Sequence, residues 1–149
     1  MKIFTIGFTR KSAKQFFELL KLHQIKILAD IRLNNVSQLA GFAKGNDLKY
    51  FTKEICSTEY VHMLELAPTK EILDGYKKNI ISWEEYEKLY MELLEKRSIK
   101  ETFESKIKPD FDRICLLCSE AVPDKCHRRL ASEFIKNAFK EQDIEIVHI

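Results

Sequence analysis

The chain has 149 residues, of which 45% are hydrophobic and 32% charged, and its net charge is +2. That length fits one domain with a sizeable core, and the composition is that of a soluble globular protein. The charge is too mild to argue nucleic-acid binding from bulk electrostatics, and the scarcity of glycine (4) and proline (3) argues against long disordered linkers.

A strand-like run occupies residues 2–8, with Gly7 near its end. It starts within two residues of the first residue, so no cleavable signal is expected, and no apolar run approaches the roughly 20 residues that span a bilayer. A cytoplasmic protein without membrane contact is expected, and its four cysteines are then expected as reduced thiols. Ser12 to Gln15 reads as a capping box that starts a helix at Ala13, with Phe16, Phe17, Leu19, Leu20 and Leu22 on its buried side. Ile25 to Ile31 reads as a second buried strand, interrupted at its end by Asp30 and followed by Arg32. The polar stretch Leu33 to Gly45 is long for a connection, and loops of that length often carry function.

A helix capped by Asn46 or Asp47 runs to Cys56, and a third strand is expected over Tyr60–Leu66. Thr69 caps a short helix. Boxes at Ser82 and Ser98 start two more, to about Lys96 and Ile107. Ile114 to Cys118 has the length and composition of a fourth, fully buried strand. A polar loop follows. Cys126-His127-Arg128-Arg129 then opens an amphipathic helix, and Ile144–Ile149 forms a fifth strand. Strands alternating with helices predict an α/β fold: a three-layer, mostly parallel sheet of about five strands with helices on both faces, in a single domain over residues 1–149.

In such a sheet the loops after the strands lie along one edge, where ligands bind. The candidate catalytic residues on that edge are Asp30, Cys118, Glu120 and Cys126. The candidate substrate-binding residues are Gly7, Arg32, Ser37, Lys44, His127, Arg128 and His148. Arg32 and Arg128 would hold an anion, Glu120 or Asp30 would move protons, and a cysteine at a helix start beside His127 and two arginines is placed to be a nucleophile. The bland alternatives are a small cysteine filling the first helical turn and a buried ion pair tying the strands to the helix.

Cys115 and Cys118 are not a zinc or redox pair, because strand positions three apart face opposite ways. A zinc site from Cys118, Cys126, His127 and a fourth group such as His148 meets no spacing template, and neighbouring helical side chains diverge by about 100°. No metal and no cofactor is therefore expected. Strand, Cys118, loop and helix resembles the layout of cysteine phosphatases and rhodaneses. However, Asp124 stands where C-x5-R needs its arginine, and Glu120 and Asp124 would repel a phosphate. Lys77 and Lys78 read as solvated positions, the Trp83–Tyr86–Tyr90 stripe reads as core, and His23 and His62 carry no partner signal.

Several segments together are similar to the family known as domain of unknown function 488. They are TIGFT at 5–9, Asp30-Ile31-Arg32, the loop with Ser37, Phe42 and Lys44, ELAPT at 65–69, LLCSE at 116–120, Cys126-His127-Arg128, and the closing VHI. The family often has histidine where this chain has Phe8, so any acid–base duty at that position is not carried over. The resemblance implies a compact α/β domain and no established reaction.

Three functions follow as expectations. The first is an enzyme acting on a small anionic or nucleotide-like substrate. The second is a non-catalytic nucleotide or nucleic-acid binding module using loop 33–45. The third is a structural clasp in which Asp30, Arg32, Glu120 and Arg128 satisfy one another.

Overall fold

The computed structural model describes residues 1–36, 40–107 and 112–149. Five strands form one sheet: β1 (Lys2–Gly7), β2 (Ile27–Asp30), β3 (Glu59–His62), β4 (Ile114–Cys118) and β5 (Glu145–His148). Their order is β3-β2-β4-β1-β5, and every pairing is parallel. Six helices cover the faces: α1 (Ala13–Leu22), α2 (Gly45–Cys56), α3 (Lys70–Lys77), α4 (Trp83–Lys96), α5 (Ile99–Ile107) and α6 (His127–Ala138). The expected three-layer α/β architecture is what forms. Among the described residues no helix is long and apolar enough to cross a membrane.

The period-2 alternation of the strands sorts the core into two layers. Phe4, Ile6, Leu28, Cys115 and Leu117 pack with Phe16, Phe17 and Leu20 of α1 and Leu48 of α2. Ile3, Ala29, Ile114 and Leu116 pack with Tyr86, Tyr90 and Leu94 of α4, Phe103 of α5, and Leu130 and Ile135 of α6. The helices that follow β1 and β2 therefore lie on one face, and the helix that follows β4 lies on the other. This divergence opens a crevice beyond the carboxyl end of β4.

Local chemistry explains the boundaries. Ser12 makes both bonds of its capping box with Gln15, while Thr69 and Ser82 each accept from one backbone amide. Four expectations change. The strand expected over Tyr60–Leu66 stops at His62, because Leu64–Leu66 wind into a 3-10 turn. The second strand is shorter than Ile25–Ile31. Ser98 has φ 49, a left-handed backbone, not the extended geometry of an N-cap. Helix α2 starts at Gly45, after an extended Lys44, ahead of the expected Asn46 or Asp47 cap.

Candidate functional site

A cavity of about 430 Å³ sits in that crevice. It is lined by Thr9 after β1, by Arg32, Leu33 and Asn34 after β2, by Pro68 after β3, and by Cys118, Ser119 and Glu120 after β4. Four loops distant in sequence thus converge as the parallel topology requires. Lys125, Cys126 and His127 close the α6 side, and Leu73, Tyr76, Lys77, Trp83 and Tyr86 form a wall from the α3–α4 hairpin. A larger, more open groove of about 650 Å³ runs along α1 past Arg10, Lys11 and Glu18, but none of the rim thiols or imidazoles reaches it.

Asp30 and Arg32 share a face and form a bidentate pair, Nε to Oδ1 at 2.8 Å and Nη2 to Oδ2 at 2.7 Å. Tyr60 also donates to Asp30 Oδ2 at 2.7 Å, and the Arg32 amide donates to Oδ1. Both carboxylate oxygens are thus occupied in a fully buried side chain. Asp30 thereby holds Arg32 in place. Arg32 is itself only 3% exposed. Its Nη2 also donates to the carbonyl of Ala43, and its guanidinium lies 5.2 Å from the centre of the Phe8 ring. Phe8 therefore supplies an aromatic face beneath a cation. His62, to which the sequence assigned nothing, donates Nε2–H to the Arg32 carbonyl. Burial lowers the Arg32 pKa, and the hydrogen bonds and charge of Asp30 more than reverse that. Burial and the same carboxylate push Tyr60 upward.

Arg128 is buried to 1% exposure, yet no carboxylate pairs with it among the described residues. Its Nη1 donates to the Glu120 carbonyl and lies 3.9 Å from Cys126 Sγ, while Nη2 reaches the Ala121 carbonyl at 3.4 Å. It holds the turn after β4 from beneath and does not line the cavity. Gly7 makes this possible, since a Cβ there would overlap the Glu120 carbonyl and come within 2.6 Å of Arg128 Nη1. The clasp in which Asp30, Arg32, Glu120 and Arg128 satisfy one another does not form. Asp30 pairs with Arg32, and Glu120 offers Arg128 its carbonyl while its side chain is exposed at the cavity mouth.

On the floor of the cavity Cys118 Sγ, Cys126 Sγ and His127 Nδ1 lie within 4.8 Å of one another, all buried. Cys126 is not in the helix. It is the extended N-cap residue (φ -139, ψ 137), and His127 is the first helical residue. The 100° divergence expected of neighbouring helical side chains therefore does not apply, and both side chains turn to Cys118. His127 Nδ1 is 3.5 Å from Cys118 Sγ, and Nε2 is 2.8 Å from the Ile31 carbonyl. A hydrogen bond from the Cys126 thiol, joined by the Ser119 and Glu120 amides and the Arg128 charge, pulls the Cys118 thiol below its ordinary value against its burial. The same bond and burial push Cys126 up. Cys115, on the opposite face, is raised by burial.

Lys44 is the cap residue of α2 and lies outside the cavity. His148 is exposed on β5, where its Nδ1 is 2.6 Å from Thr5 Oγ1, and it too is away from the cavity. Ser37 lies outside the described residues. Lys77, expected to be merely solvated, lines the cavity, as does half-buried Trp83. Tyr90 is fully buried in the core, as the stripe suggested.

The model of the family described as Domain of unknown function DUF488 matches residues 12–135. The chain belongs to the DUF488 family. Within the matched span fall Asp30, Arg32 and all three groups of the thiol–imidazole cluster. No curated protein and no solved structure matched the chain.

Proposed function

We propose that this DUF488 protein is an enzyme acting on a small anionic, nucleotide-like substrate bound in the rim cavity. One observation carries the reading. Arg32, almost fully buried in the cavity wall, has an Nη1 with no hydrogen-bond partner among the described residues. Such a donor is costly to leave unmade unless a ligand completes it. Arg128 Nε, behind the same rim, is also unpartnered. Lys77 and Lys125 add two exposed cations to the lining, against the single carboxylate of Glu120.

Trp83 and Tyr76 offer aromatic surface for a flat group, and the Cys118–Cys126–His127 cluster supplies the reactive floor. Glu120, exposed at the mouth, is the carboxylate that can exchange protons with the substrate. Four unpaired thiols and a chain without a membrane-spanning helix among its described residues support a reducing, cytoplasmic setting.

The test is calorimetric titration with inorganic phosphate, nucleoside phosphates and small carboxylates, followed by mass spectrometry of each incubated ligand. A nucleoside phosphate should bind, more weakly in the double variant Lys77→Gln/Lys125→Gln, and be converted. Cys118→Ser should keep the binding and lose the conversion. If no anion binds at low salt, the reading is wrong. Binding without conversion would instead make the protein a binding module.

A further inference from the structure

The thiol–imidazole cluster has features that anion binding does not need. The Ile31 carbonyl can only accept, so at 2.8 Å it takes the proton of His127 Nε2. In the neutral ring the lone pair is then on Nδ1, which faces Cys118 Sγ at 3.5 Å. A metal-ligating histidine is held in the same way, with its second nitrogen donating to a carbonyl. The two sulfurs have outer partners as well. The Ser119 and Glu120 amides lie on Cys118, and Arg128 Nη1 is 3.9 Å from Cys126 Sγ.

Bond lengths of about 2.3 Å to sulfur and 2.0 Å to nitrogen put the ligands of a tetrahedral zinc about 3.5–3.8 Å apart. The Cys118–His127 separation already has that value, and the whole triad spans no more than 4.8 Å. All three residues line the cavity, so a fourth coordination position would open onto it.

We propose that Cys118, Cys126 and His127 form a three-ligand site for zinc or a similarly thiolate-preferring divalent ion, with its open position in the rim cavity. Two thiolates and a neutral imidazole balance a divalent cation, and loading releases the two thiol protons to solvent. The soft donors disfavour magnesium and calcium. With the ion neutralised by its own ligands, the buried charge of Arg128 stays uncompensated and is left to favour an anionic substrate.

The experiment is titration of the reduced, chelator-dialysed full chain with cobalt(II), then displacement by zinc. The expected result is saturation at one cobalt per chain, with a thiolate-to-cobalt charge-transfer band, the visible bands of a tetrahedral ion, and release of two protons. Cys118→Ser and Cys126→Ser should each lose about half of the charge-transfer intensity per cobalt or fail to bind, while Cys56→Ser, remote from the cluster, should behave as wild type. Near-ultraviolet circular dichroism of each metal-free variant checks that it folds. A reduced wild type without the charge-transfer band overturns the site, as does a band unchanged in both serine variants of the cluster. No substrate enters this assay, anion binding is read on the metal-free chain and conversion on the zinc-loaded one, so either reading can fail alone.

Discussion

The guanidinium of Arg128 packs against the Cα of Gly7, so closely that a β-carbon on Gly7 would come within 2.6 Å of Nη1. The last residue of the first strand and the second residue of the last helix are thereby locked together beneath the turn after β4. Gly7→Ala should overpack this contact and cost about 1–3 kcal/mol. Urea denaturation measures that loss. Because the displaced atoms include the Glu120 carbonyl, ligand affinity in the cavity should fall as well.

Removing the charge of Asp30 leaves Arg32 buried without its counter-ion. Asp30→Asn should destabilise the fold by about 3–5 kcal/mol, the range for breaking a buried pair from one side. Replacing both residues with apolar ones of similar volume should recover much of that loss. A double-mutant cycle in denaturant tests this.

Tyr60, Tyr86 and Tyr90 are all held above the ordinary phenol value, chiefly by burial. The unfolded chain therefore loses these protons first as pH rises through about 10. Above that pH the native state binds more protons than the unfolded one, so stability declines with further alkalinity. Each of the two fully buried rings adds a slope of at most about 1.4 kcal/mol per pH unit. Ultraviolet titration should show these three phenols ionising only as the fold is lost, and stable ionisation of all three in a native chain would contradict it.

Trp83 is the single tryptophan and lines the cavity, with its ring stacked 5.0 Å from Tyr86. Its fluorescence should change when the cavity fills, saturating at the affinity found by calorimetry. Trp83→Ala should weaken an aromatic ligand more than inorganic phosphate, since stacking is worth about 1–3 kcal/mol per base.

The sheet was legible because strand periodicity and box chemistry act locally. Ile114–Cys118 has the expected bounds, and Ser12 caps the helix its spacing implies. Convergence of Arg32, Cys118 and His127 followed from the parallel topology alone. Partner choice did not follow. Asp30 pairs with a residue two positions away, while Arg128 takes carbonyls. The outcome depends on which groups the turn after β4 presents, and no pattern of residue types encodes that. Lys77 and Trp83 were read as solvated or core because helical periodicity gives a helix its buried side, not the loop that the side will overhang. The role of His62, and the convergence of Cys126 and His127 on Cys118, were missed for a similar reason. One is decided by a backbone carbonyl, the other by a cap residue's extended backbone.

Strand β1 is flanked by β4 and β5, so both neighbours of residues 2–7 come from beyond residue 113. During synthesis residues 2–7 must therefore wait, unpaired, until the segments beyond residue 113 have emerged. Gly7 then meets Arg128 only at that late closure. Construction of the rim is therefore coupled to the arrival of residues 114–148, and a chain stalled or cut before them would expose an open seam where the folded molecule has its cavity.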